Sequence, residues 1–212
     1  MVKLIKDLLL LIIIYLPGRS GIILRNFVYK RKFKEYGNNV IIESGVTFIG
    51  HKNISIGNNV KIESNCLIET GNNLLGNIKY KSNYKPIHQI NIGNNIHICR
   101  NSEIIGYGDL IIENNCVLSS GCKLYSLTNM PKDPDNPKKI ISLMPYKDSI
   151  FLIGKIILKT NVWLGLNVIV MPDVTIGKNT FVTSNSIVTK TLDENLHAKG
   201  SPIESIKKRF TE

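Results

Sequence analysis

The sequence predicts an all-β fold in which short strands coil around one continuous core, and three observations predict it. The first is composition: 212 residues include 34 Ile, 24 Asn and one Ala, Ala198. Isoleucine favours strands and asparagine favours turns, whereas alanine, the strongest helix former, is nearly missing. The second is a period of six. A large aliphatic residue opens each unit at Ile56, Ile62 and Ile68, then at Ile92, Ile98, Ile104, Ile112, Leu118 and Leu124, then at Leu158, Leu164, Val170, Ile176, Val182 and Val188. Third, Asn58-Asn59, Asn94-Asn95 and Asn114-Asn115 fall between the aliphatic residues, where corners need a left-handed backbone. One unit of six cannot bury its apolar side alone, so stacked units must share a core, as in a parallel β-helix.

The elements follow in chain order. Residues 1–35 read as a basic, apolar helical segment. Its uninterrupted apolar run, Leu8 to Leu16, is too short to span a bilayer and ends at Pro17-Gly18. Lysines precede the run as in a signal peptide, but no small-x-small cleavage site follows it. Arg19, Arg25, Lys30, Arg31, Lys32 and Lys34 are instead interleaved with Ile22, Ile23, Leu24, Phe27, Val28, Tyr29 and Phe33. Two readings fit that mixture: an interfacial helix meeting anionic lipid, or a helix capping the end of the core.

The coil domain spans residues 36–190, with Ile42 and Phe48 also in frame. Spacings of eight from Phe48 to Ile56 and from Ile104 to Ile112 read as corners widened by two residues. Cys66, Cys116 and Cys122 occupy the small fifth column beside Val60, Ile96 and Val174, which predicts inward-facing thiols and no chemistry. The four cysteines fit no zinc spacing and no redox pair, so no metal and no disulfide framework is expected, and a reducing cytoplasm is the simpler setting. Excursions at 74–90 and 125–155 break the repeat. Long loops on a rigid scaffold tend to carry binding or catalysis, and the second holds Pro131, Pro134, Pro137 and Pro145, which predicts extended chain. The tail, 191–212, is expected to contain a short helix.

Net charge is +11, and residues 1–34 hold eight Lys/Arg against one acid, Asp7. No nucleic-acid module is recognisable in the rest of the chain, so the excess points to a membrane surface or an acidic small molecule.

The segments IGNNVKI (56–62), INIGNNIHICRNSEI (90–104), NVWLGLNVIVMPDVTIGKNTFVTSNSIVTK (161–190) and AKGSPIESIKKRF (198–210) resemble the hexapeptide-repeat acyltransferases. Within them the chain is most similar to the maltose/galactoside O-acetyltransferase-like branch of bacterial surface-polysaccharide biosynthesis. The resemblance implies a single-stranded left-handed β-helix, a homotrimer, and acetyl-CoA as co-substrate in the groove between subunits. It implies direct attack of the acceptor on the thioester, most simply O-acetyl transfer to a sugar of a surface polysaccharide or its nucleotide- or lipid-linked precursor. The place of action would be the cytoplasm, peripheral to the inner face of the membrane.

Carried over residue by residue, the resemblance puts Trp163, Leu166, Ser184, Thr189, Lys190 and Lys207 on the CoA side and Cys99 and Tyr125 on the acceptor side. The family's catalytic histidine falls on Asn129, and an amide accepts no proton at neutral pH. His88 and His97 are the substitute candidates, while His51 and His197 read as structural or merely solvated. Asp133 and Asp135 would serve as bases only if burial raised their pKa values. The alternative reading is a catalytically silent coil that binds CoA or a glycan, or acts as a scaffold.

Overall fold

In the computed structural model, residues 2–71, 77–80, 85–130, 132–133, 136–140 and 150–210 are described. The chain climbs a three-sided solenoid, each side a parallel sheet. The first face stacks Glu35–Tyr36, Ile54–Ile56, Ile90–Ile92, Leu110–Ile112, Ile156–Leu158 and Thr175–Ile176. The second runs through Ile41–Ile42, Val60–Ile62, Ile96–Ile98, Val117–Leu118, Trp163–Leu164, Phe181–Val182 and Leu196–Gly200. The third stacks Thr47–Ile49, Leu67–Glu69, Glu103–Ile105, Lys123–Tyr125, Ile169–Val170 and Ile187–Val188. Successive strands occupy successive faces, so each full turn adds one rung to every sheet.

The residues that open each unit all point inward: Ile62, Ile68, Ile98, Ile104, Leu118, Leu124, Leu158, Leu164, Val170, Ile176, Val182 and Val188 are completely buried. Burying one such side chain contributes roughly 1.5–3 kcal/mol, so the interior column is the main source of stability. Cys66, Cys116 and Cys122 are buried in it as free thiols, and burial pushes Cys116 up to about 11 and Cys122 to about 12. At the corners Asn59, Asn95 and Asn115 adopt φ of 56°, 56° and 59°. Their amides also stack, Asn59 donating to Asn95 at 3.0 Å and Asn95 to Asn115 at 2.9 Å. The widened corner after Phe48 is a short 3-10 turn, His51–Asn53.

Two helices, α1 (Val2–Tyr15) and α2 (Gly18–Tyr29), precede the coil and part at Pro17. Gly21, Arg25 and Tyr29, spaced by four, form the buried stripe of α2. Gly21 has no substitute, because a Cβ there would lie 1.8 Å from the Leu16 carbonyl oxygen. Tyr29 meets Phe33, Phe48 and His51 in an aromatic plug over the first coil, and burial lowers the pKa of His51. The Arg25 guanidinium, fully buried, donates to the carbonyls of Ile13, Leu16 and Ile42 at 3.1, 2.8 and 2.8 Å. It thereby satisfies carbonyls at the end of α1 while fixing both helices to the solenoid.

The tail departs from expectation. No helix forms among the described residues of 191–210. Leu196–Gly200 joins the second face in parallel, and Ile203–Lys208 folds back against it in antiparallel register. The exposed edge of Phe181–Val182 supplies the reason: its unpaired backbone groups accept a strand, and burial of Ala198 and Ile203 holds the hairpin there.

The two excursions meet. Ile150–Ile153 pairs antiparallel with Leu127–Asn129 and parallel with Asn77–Tyr80, forming one small sheet off the solenoid. Lys132–Asp133 and Asn136–Ile140 form a hairpin beyond it. Pro131, Pro134, Asp135 and Pro145 lie outside the described residues.

Candidate active site on the second face

The outward positions of the second face form one ladder. In register, Ile41, Lys61, His97, Val117, Trp163, Phe181 and His197 stand above one another. Adjacent rungs lie about 4.8 Å apart, which puts His97 about 10 Å from Trp163. Beside the ladder runs the corner column Glu43, Glu63, Cys99, Ser119, Gly165 and Thr183, tied rung to rung by backbone hydrogen bonds.

Its upper half is aromatic. Trp163 is 46% exposed and stacks edge-on against Phe181 at 5.3 Å, and Phe181 meets the His197 ring at 5.0 Å. The indole Nε1–H donates to Ser119 Oγ at 3.2 Å. At the adjoining corner Leu166 is exposed, and its backbone N–H donates to Ser184 Oγ at 3.0 Å. Lys207 faces His197 across the tail hairpin and lines, with Lys199 and Ser205, a cavity of about 140 Å³. Two lysines on a small cavity two rungs above an exposed indole suit a polyanion carrying an apolar arm.

The lower half is charged. The His97 Nε2 lies 3.0 Å from Glu63 Oε1, and Lys61 Nζ reaches the same oxygen at 3.0 Å. The other carboxylate oxygen accepts the backbone N–H of Arg100 at 3.2 Å. Lys61, then His97 and the Arg100 backbone, hold the Glu63 carboxyl at about 2, against the opposing effect of its burial. Cys99 Sγ lies 3.7 Å from His97 Nε2, and burial, then the Glu63 charge, raise its pKa. That thiol is poorly placed as a nucleophile, because it shares with Glu63 the one imidazole nitrogen that would have to activate it. Glu63, His97 and Cys99 bring metal-ligating atoms within 4.8 Å of one another. A cation there would meet Lys61 Nζ on one carboxylate oxygen and Arg100 Nε 3.6 Å from the other, so the donor set suits an acid–base pair better than a metal.

The remaining candidates lie apart. Asn129 is exposed in the small outer sheet, opposite Phe151. His88 is locked at the corner between the third and first faces: its Nδ1 lies 2.7 Å from the Tyr107 carbonyl and its own carbonyl accepts the Thr70 hydroxyl at 2.8 Å. Tyr125 stands on the third face, where its hydroxyl bonds Glu103, itself paired with Lys123 at 3.0 Å. Burial acts to raise the Glu103 pKa, and the bonds from Tyr125 and Lys123 bring it below the usual range. Cys99 and Tyr125 therefore sit at opposite ends of the third face and do not meet within one chain. Thr189 and Lys190 are exposed beyond Ile187–Val188, also away from Trp163.

Sequence reading missed Glu63, Lys61 and Arg100. Lys61 and His97 share one place in the six-residue frame, but the first excursion sets them 36 positions apart and hides their adjacency.

Comparison with known proteins gives the chain a family. The chain is 30% identical over 182 residues to the dTDP-4-amino-4,6-dideoxy-D-glucose acyltransferase of Escherichia coli, covering 84% of this chain and 83% of that one. It belongs to the hexapeptide-repeat acyltransferases. A second relative of this acyltransferase is the galactoside O-acetyltransferase of Lactococcus lactis, 29% identical over 113 residues, 53% of this chain and 50% of that protein. A single-residue variant of AntD, an N-acyltransferase from Bacillus cereus solved with dTDP-4-amino-4,6-dideoxyglucose and coenzyme A, superposes with a TM-score of 0.68 at 25% identity. That match covers 88% of this chain and 90% of AntD. The maltose O-acetyltransferase of Clostridium difficile shares the fold, with a TM-score of 0.55 at 19% identity over 92% of this chain and 79% of that one. No family model matches the sequence.

Proposed function

We propose that this acyltransferase moves an acyl group, acetyl in the simplest case, from CoA to the amine of a nucleotide-linked amino sugar. The observation that carries the reading is the division of labour around position 129. The exposed amide of Asn129 accepts no proton, yet a carboxylate-held imidazole stands on the same ladder as Trp163. A sugar hydroxyl needs a base to become a competent nucleophile, whereas an amine already carries an attacking lone pair once deprotonated. The E. coli relative, named a dTDP-4-amino-4,6-dideoxy-D-glucose acyltransferase, and the B. cereus N-acyltransferase, solved with that sugar nucleotide and coenzyme A, support the same choice.

In this reading the CoA arm runs down the corner from Ser184 and Leu166, with Trp163 alongside, and its thioester arrives near Cys99 and His97. With Nε2–H donating to Glu63, the Nδ1 lone pair of His97 is left to accept a proton. The amine nitrogen bonds to the thioester carbon, the C–S bond breaks, and the amine proton passes to His97 and from there to the departing thiolate. Glu63 positions the ring and stabilises its charged form. We take the coil to be left-handed and the enzyme a homotrimer, with Tyr125, Thr189, Lys190 and the loop carrying Asn129 facing the second face of a neighbouring subunit. The product would feed surface-polysaccharide assembly.

Incubating the protein with acetyl-CoA and dTDP-4-amino-4,6-dideoxyglucose, and separately with galactosides and maltose, tests the reading. Expected is thiol release with a new amide of the amino sugar. Thiol release only with the neutral sugars would mean ester formation, and none with any acceptor would mean a silent coil.

A further inference from the structure

The N-terminal helices carry an outward face that the coil does not use. On α1, Leu8, Leu11, Ile12 and Tyr15 follow the i, i+3, i+4, i+7 spacing of one helical stripe, and each is more than half exposed. An open groove of about 520 Å³ lined by Leu11, Ile12, Tyr15, Leu16 and Pro17 continues that stripe to the helix junction. On α2, Arg19, Ile23, Phe27 and Arg31 form a second outward stripe spaced by four, with Ile23 and Phe27 60% and 62% exposed. Arg31 lies 4.0 Å over the Phe27 ring and donates to the Phe27 carbonyl at 2.8 Å. The α2 stripe thus ends in cations at both ends, and α1 is held rigidly beside it, because Arg25 and the Gly45 N–H, which donates to the Ile14 carbonyl at 2.8 Å, bolt α1 to the first coil.

We infer that this face docks the enzyme on an anionic phospholipid surface, the aliphatic stripe of α1 entering the headgroup boundary while Arg19, Lys30, Arg31 and Lys32 meet lipid phosphates. Charge chooses the occupant: eight Lys/Arg against one acid in residues 1–34 complement an anionic surface and would repel a second copy of the same segment. Length sets the mode. The 14 residues of α1 reach about 21 Å, short of the hydrocarbon core, and among the described residues no helix is long and apolar enough to cross a membrane. The helix lies in the interface, and the solenoid stands with its capped first coil toward the lipid.

Sedimentation of the full-length protein with vesicles of phosphatidylcholine alone, or of phosphatidylcholine with phosphatidylglycerol, tests the inference. The expected result is partitioning about tenfold or more stronger onto the anionic vesicles, weakened by salt. Leu11→Glu with Ile12→Glu should abolish partitioning onto both. Arg19→Glu with Arg31→Glu should lower anionic binding about fivefold for each charge and leave the neutral vesicles unaffected. These arginines are on the surface, so the charge variant remains informative even where the aliphatic variant folds poorly. Equal binding to both vesicle types, or to neither, overturns the inference. A change of oligomeric state in the aliphatic variant with vesicle binding intact also overturns it, in favour of a second copy covering the stripe.

Discussion

The two halves of the second face share one ladder, one register and one aliphatic interior, yet they have opposite surfaces. Above Val117 the outward rungs are Trp163, Phe181 and His197, rings packed on one another, with the Trp163 indole bonded to Ser119 and His197 to Thr183. Below it come His97 and Lys61, clamped to a carboxylate that is nearly buried, and then the apolar Ile41. The repeat dictates what points inward and leaves the outward rungs free, so one sheet can carry an aromatic stack and a carboxylate–imidazole pair a few rungs apart. Under the proposed function, the upper half governs affinity and the lower half rate.

The largest break in that division comes from the lower half. His97→Gln should lower kcat for amine transfer about 100-fold while leaving the KM for acyl-CoA nearly unchanged, as steady-state kinetics would show. Trp163→Ala is the mirror experiment: calorimetric titration should find CoA binding about tenfold weaker, with kcat at saturation little changed. Equal effects of both variants on kcat and KM would merge the two halves into one site.

Glu63→Gln sharpens the comparison through stability. The folded carboxyl titrates at about 2, below its unfolded value. It therefore stabilises the fold above the unfolded value, and that contribution fades as pH falls from about 4.5 toward 2. Denaturant unfolding should show Glu63→Gln less stable by about 1–2 kcal/mol at neutral pH, with the gap closing in acid. A variant that loses amine transfer at full stability would separate its positioning role from its structural one. Smallest is Lys207→Glu, which should weaken CoA binding a few-fold at low salt and hardly at all at high salt.

Much of the scaffold was legible in the sequence for a simple physical reason. A period of six with β-branched or aliphatic openers has only one way to bury itself, and Ile62, Ile98 and Leu118 are buried where the frame puts them. Asn95 and Asn115 announced their corners because few other residues tolerate φ near 60°. The tail was misread as helical because the open edge at Phe181–Val182, which converts it to a hairpin, belongs to the assembled sheet and not to the local sequence. The geometry of the candidate site was half legible for the same reason. Trp163 and Leu166 stand out by residue type and spacing, whereas the Glu63–His97 pair exists only after the excursion at 74–90 is looped out and two distant units stack.

The most direct test of the account compares wild type, His97→Gln and Asn129→His in one assay of amide formation from acetyl-CoA and dTDP-4-amino-4,6-dideoxyglucose. The prediction is that Asn129→His matches wild type within about twofold while His97→Gln falls about 100-fold. A fully active His97→Gln enzyme, together with a large gain from Asn129→His, would contradict it and return the chemistry to the loop.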